Sequence, residues 1–113
     1  MEKPGFNFVR TFRQRHALTE RELAFLINRS QTTVSSMEYG DTAPYLDAAL
    51  ALQALFRLPP KELFPGMYEK VEDRVMQRAA ELIRKLEADT DRRSLAKLDF
   101  LESLPREDSD IAL

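Results

Sequence analysis

The stretch Leu18-Thr19-Glu20-Arg21-Glu22-Leu23-Ala24-Phe25-Leu26-Ile27-Asn28-Arg29-Ser30-Gln31-Thr32-Thr33-Val34-Ser35-Ser36-Met37-Glu38-Tyr39-Gly40 decides how the rest of the chain is read. Thr19 is a good N-cap, and Glu20 and Glu22 fall in the first turn, where the helix dipole favours anions. Leu23, Leu26 and Ile27 then share one helical face. Ser30 is again an N-cap type, and Val34 and Met37 form the inward i, i+3 pair of a second helix. This helix stops at Tyr39-Gly40, with glycine in its usual place past a helix end. Only Asn28 and Arg29 remain for the connection. Asn tolerates the left-handed conformation that so short a corner requires. Two short helices joined by a tight turn, the second opening with small polar residues, have the geometry of a helix-turn-helix.

Outward from this stretch the apolar spacing stays helical, and no segment alternates long enough for a strand. Phe8, Val9, Phe12 and His16 follow Asn7, which reads as the N-cap of the first helix. Pro44 opens a fourth segment through Leu46, Ala49, Leu50 and Phe56, and Pro60 to Phe64 make a short fifth turn. Pro65-Gly66 reads as a domain boundary. Beyond it, Val71, Val75, Ala79, Leu82 and Leu86 form the stripe of a long amphipathic helix starting near Tyr68. A turn at Ala88 to Asp91 leads to a last helix, Ser94 to Leu104. The expected architecture is all-α: five N-terminal helices over residues 1–66, then a long amphipathic helix and a shorter final helix over 67–104. Residues 105–113 read as a disordered acidic tail. The apolar stripe is either a strap across the first five helices or a dimerisation face. Its breadth favours the latter, or a protein partner.

Composition restricts function. The chain of 113 residues has no cysteine, so thiol nucleophiles, thiolate metal sites and disulfides are excluded. Its apolar runs, such as Ala48 to Leu52, are far short of a membrane span. Residues 1–8 have no continuous apolar stretch of a secretory signal. A soluble, cytoplasmic protein is expected. Net charge is −2, but unevenly placed: residues 1–40 carry six basic against four acidic side chains, residues 67–113 nine against twelve. No glycine-rich phosphate loop, nucleophile elbow or metal-ligand spacing occurs. Glu20 and Glu22, or Glu69, Glu72 and Asp73, read as dipole complement and solvated charge, and the single histidine, His16, as a helix-end residue. No enzyme, cofactor or metal is expected.

Residues 6–64, through Leu18 to Ala24, Ser30 to Gly40 and Pro44, resemble the λ-repressor/Cro-like (XRE) helix-turn-helix family of DNA-binding transcriptional regulators. The resemblance implies residue roles. Ala24 is the small residue where the two central helices approach, and Val34 and Met37 anchor the recognition helix. Arg13 and Glu38 stand where the family pairs an arginine with a glutamate. Base reading would fall on Gln31, Thr32 and Ser36, with Thr33 and Ser35 nearby; otherwise these residues form a solvated face. Gln31 can make a bidentate pair with adenine. Thr19 and Ser30, at helix starts, together with Arg10 and Arg29, would meet the DNA backbone. The family often has Gln where this chain has Glu20, and glycine where it has Asn28. The implied function is a repressor or autoregulator that binds double-stranded DNA as a homodimer. A protein-interaction or antitoxin-like module that acts through its C-terminal helices is the alternative.

Overall fold

The computed structural model describes residues 5–89 and 91–104, and every regular element among them is helical. The order is α1 Val9–Arg15, α2 Glu20–Ile27, α3 Gln31–Glu38, α4 Leu46–Phe56, α5 Pro60–Leu63, α6 Pro65–Leu86 and α7 Arg92–Glu102. The chain divides into two compact units between Glu69 and Lys70. The expected tail, 105–113, lies outside the described residues.

The first unit is organised around Val9, Leu23, Val34, Met37, Leu52 and Leu63, all essentially inaccessible to solvent. Each comes from the apolar stripe of a different helix or from the α2–α3 pair, and burial of each contributes about 1.5–3 kcal/mol. Ala24, Ile27, Phe56 and Phe64 complete this core. Ala24 is 4% exposed. It belongs to the buried cluster that α2 and α3 share, where a larger side chain would overpack the core.

Local signals set the corner between these helices. Thr19 forms a capping box: its hydroxyl accepts from the Glu22 N–H at 3.0 Å, and the Glu22 carboxylate accepts from the Thr19 N–H at 2.9 Å. Asn28 sits at φ 58°, ψ 51°, the left-handed conformation its residue type tolerates. The Arg29 N–H then donates to the Ala24 carbonyl at 2.9 Å, closing the end of α2. Ser30 caps α3 by accepting from the Thr33 N–H at 3.1 Å. Gly40, at φ 79°, ends the turn after α3. A Cβ there would stand 2.5 Å from the Gly5 carbonyl oxygen, so glycine is required by both conformation and space.

Four boundaries differ from the sequence reading. Phe8 holds the N-cap position of α1 but makes no side-chain cap. The Asn7 side chain supplies that cap from one residue further out and also bridges to α3: its Oδ1 accepts from the Val9 N–H at 3.0 Å, and its Nδ2 donates to the Met37 carbonyl at 2.9 Å. α4 starts at Leu46 rather than Pro44, with Tyr45 as its extended N-cap. Pro65-Gly66 does not break the chain but opens α6. Proline fits a first helical turn because its missing N–H has no intrahelical partner there. Gly66 serves close approach, since a Cβ would lie 3.1 Å from the Phe6 carbonyl oxygen. The last helix also starts earlier than expected, at Arg92, because Asp91 caps it through the Ser94 N–H at 2.7 Å.

An ion pair locks α1 to the end of α3. The Arg13 Nε donates to Glu38 Oε2 at 2.6 Å, a second nitrogen donates to Oε1 at 3.1 Å, and the third donates to the Leu18 carbonyl at 2.8 Å. The two side chains are only 10% and 3% exposed. The hydrogen bond to Glu38 raises the Arg13 pKa, with burial opposing and the fields of Glu38 and Glu20 adding to the rise. Each nitrogen of the guanidinium therefore has a partner inside the fold.

Glu38→Ala should lower stability by about 3–5 kcal/mol in denaturant unfolding, because it strands a buried cation. Arg13→Met combined with Glu38→Leu should recover most of that loss; a double variant as unstable as the single would contradict the assignment. In the second unit, the Ser94 backbone bond to Asp91 holds that carboxyl below the usual carboxylate range, with the Ser94 side-chain bond next in strength. A depressed carboxyl stabilises the fold above the ordinary carboxylate range and loses that contribution as pH falls through its folded value. The Ser94 amide should thus lose protection, measured against its intrinsic exchange rate, on acidification, and Asp91→Asn should remove that pH dependence of protection.

Candidate nucleic-acid interface

α3 has two unlike sides because Val34 and Met37 point into the core. The helical repeat then turns Gln31, Thr32, Ser35, Ser36 and Tyr39 away from it. Gln31 and Thr32 are exposed, and Ser35 and Ser36 are half-buried. These four line one shallow depression together with Glu20, Tyr39 and Asp41. Thr33 is placed differently. Its hydroxyl lies 2.8 Å from the Ser30 hydroxyl, and it lines an adjoining depression that shares Thr32 and Ser36 with the first and adds Arg29, Pro44 and Tyr45. The structure thus brings four of the five expected base-reading residues onto one surface and sets Thr33 beside the cap.

The expected phosphate contacts fare unevenly. Ser30 spends its side chain on Thr33, which leaves the N–H groups of Gln31 and Thr32 at the open end of the α3 dipole. Arg10 is exposed and lines a depression that also takes in Thr19, Arg21, Gln31 and Ser35. At Thr19 the N–H is occupied by the Glu22 carboxylate. The Arg29 guanidinium is engaged by Asp47 at 2.5 Å and by the Asn28 carbonyl at 2.9 Å. That bond, ahead of all other influences, holds the Asp47 carboxyl below its usual range. Arg13, whose charge would have added to phosphate attraction, is consumed by Glu38.

Two features escaped the sequence reading. Tyr39 ends α3 with 72% of its surface exposed, beside the residues expected to face bases. The signal was available, since a tyrosine two positions past the buried Met37 falls on the outer side of the helix. Asp47 is eighteen positions from Arg29, and no local pattern announces their pairing. In the second unit, Val71, Val75 and Leu82 of the apolar stripe remain 43%, 49% and 43% exposed, whereas Ala79 is buried and Leu86 half-buried. No helix among the described residues is long and apolar enough to cross a membrane, and no cluster of His, Asp or Glu among them could hold a metal ion.

Comparison with family models matches residues 9–63 to the helix-turn-helix family. Comparisons with curated proteins and with solved structures returned no match. The matched segment begins with α1 and ends with α5, so it contains the capped α2–α3 corner, the Arg13–Glu38 lock and the polar outer side of α3. Residues 9–63 thus match the helix-turn-helix family, which supports the resemblance of this segment to λ-repressor/Cro-like (XRE) DNA-binding regulators.

Proposed function

We propose that the protein is a sequence-specific transcriptional repressor or autoregulator that reads a near-palindromic operator as a homodimer. The observation that carries this reading is the outer side of α3, where Gln31, Thr32, Ser35 and Ser36 lie together, uncharged and accessible, on a helix capped at Ser30. A side chain that reads bases needs hydrogen-bonding groups free of internal partners and a rigid mount, because discrimination depends on geometry.

In the proposed mechanism α3 enters the major groove. Gln31 pairs with adenine through its carboxamide, Thr32 offers its methyl group to thymine, and Ser35 and Ser36 contact neighbouring base edges. Thr33 steadies the cap. The N–H groups following Ser30, with Arg10 and Arg21, hold phosphates and set the register. Arg29 joins them by exchanging Asp47 for a phosphate oxygen, and Thr19 sits at the backbone as part of the capped α2 end. Two copies joined chiefly through the exposed Val71, Val75 and Leu82, with Leu86 at the edge and Ala79 buried behind them, would place their recognition helices about 34 Å apart on one side of the duplex. Repression then follows from occupying promoter DNA, without chemistry by the protein.

A second reading has its own support. The exposed Val71, Val75 and Leu82, with Leu95 and Phe100 at 54% and 62% exposure, suit a protein partner. The acidic residues Glu20 and Asp41 beside α3 weaken attraction to phosphate. In that case the chain is an interaction module or an antitoxin-like partner that retains the helix-turn-helix fold.

Selection from randomised duplexes at low salt separates the two, since enrichment of one motif supports the regulator and its absence supports the module. Gln31→Ala should relax preference at one base pair per half-site by about 1–3 kcal/mol; equal weakening on every sequence would contradict base reading. With Arg10, Arg21 and Arg29 contributed by both protomers, the logarithm of affinity should fall against the logarithm of salt with a slope of about −5. Asp47→Asn, which frees Arg29 before binding, should tighten binding to every sequence and leave that slope unchanged. Val71→Glu with Val75→Glu should yield monomers in sedimentation while the helical circular dichroism persists.

A further inference from the structure

Glu20 is the first residue of α2, and its place in the proposed interface calls for a physical account. The two first-turn carboxylates of this helix are not equivalent. Glu22 is consumed by the capping box. Glu20 takes no part in that box; it lines both the depression formed by the outer side of α3 and the adjoining one that holds Arg10 and Arg21. Gln31 and Ser35 line both depressions as well, so Glu20 shares its surroundings with the first residue of the recognition helix. Its field also reaches Arg13, where it favours the charged guanidinium.

A carboxylate in this position is unfavourable beside a phosphate and beside most major-groove atoms. Guanine presents two acceptors, thymine an acceptor and a methyl group, and adenine an acceptor next to its amine. Cytosine alone presents a donor, its N4 amine, with no acceptor of its own in that groove. Glu20 is therefore compatible with close approach to DNA at one kind of base. We propose that Glu20 is a specificity-determining residue that accepts a hydrogen bond from the N4 amine of a cytosine adjacent to the base pair read by Gln31. This assignment rests on the regulator reading above and adds to it a required base.

The test uses the full-length protein, its Glu20→Ala and Glu20→Gln variants, and selection from randomised duplexes followed by competition binding. The parent should enrich cytosine at one position per half-site, next to the position relaxed by Gln31→Ala. Glu20→Ala should lose that preference by about five- to 150-fold while retaining the rest of the motif. Glu20→Gln should favour adenine there, since a carboxamide both donates and accepts. Replacing the selected cytosine by pyrimidin-2-one, which lacks the amine, should weaken the parent and leave Glu20→Ala unaffected. If Glu20→Ala keeps the cytosine preference and simply binds every sequence more tightly, the carboxylate acts only as a repulsive charge and the assignment is overturned. If the parent selects a motif with no cytosine beside the Gln31 position, the assignment fails while the regulator reading stands. If the parent selects no motif at all, both fail.

Discussion

The close contact of α2 and α3 across a two-residue corner governs everything else in the first unit. The corner requires a left-handed residue at Asn28, a carbonyl at Ala24 free to accept the Arg29 N–H at 2.9 Å, and a side chain at Ala24 small enough for the helices to touch. With these met, Leu23, Ile27, Val34 and Met37 fall into one core, and the opposite side of α3 is turned outward. The Arg13–Glu38 pair then fixes the far end of α3 against α1, and Asn7 ties the same end through the Met37 carbonyl. The polar outer side is thus held from the Ser30 cap, the core anchors and the C-terminal lock.

Such a mount matches the demands of base reading, in which rigidity limits the side-chain and backbone entropy lost on binding. Charge is used sparingly. Of the arginines in the first forty residues, Arg13 is committed to Glu38, Arg29 is held by Asp47, and Arg15 lies 4.7 Å over the Phe12 ring. Arg10 and Arg21 beside the α3 surface are left to attract phosphate in the described state. A regulator built this way depends less on non-specific attraction and more on the correctness of its base contacts, because the phosphate contribution sets much of the affinity for random DNA.

Much of this was legible in the sequence because the signals are local. Thr19 with Glu22, Ser30, Asn28 and Gly40 are punctuation whose physics operates within a few residues, and the i, i+3 spacing of Val34 and Met37 sorts α3 into inner and outer sides. The elements that were misplaced answer to distant neighbours. Asn7 looked like a cap, but its side chain spans to residue 37 as well. Pro65-Gly66 looked like a break, yet proline starts a helix readily and Gly66 is small because Phe6 lies against it. The pairing of Arg29 with Asp47, eighteen positions away, is likewise set by folding and not by any local pattern. Tyr39 was read only as the end of a helix, although its position two residues after a buried anchor places it on the open side.

Contact between the outward side of α3 and nucleotide pairs can be read from amide chemical-shift mapping of the full chain, titrated with the duplex that selection recovers. The largest changes should cluster at Gln31, Thr32, Ser35, Ser36 and Tyr39, with smaller ones at the start of α2. Changes concentrated in α6 and α7, with Gln31 to Tyr39 unmoved, would contradict it.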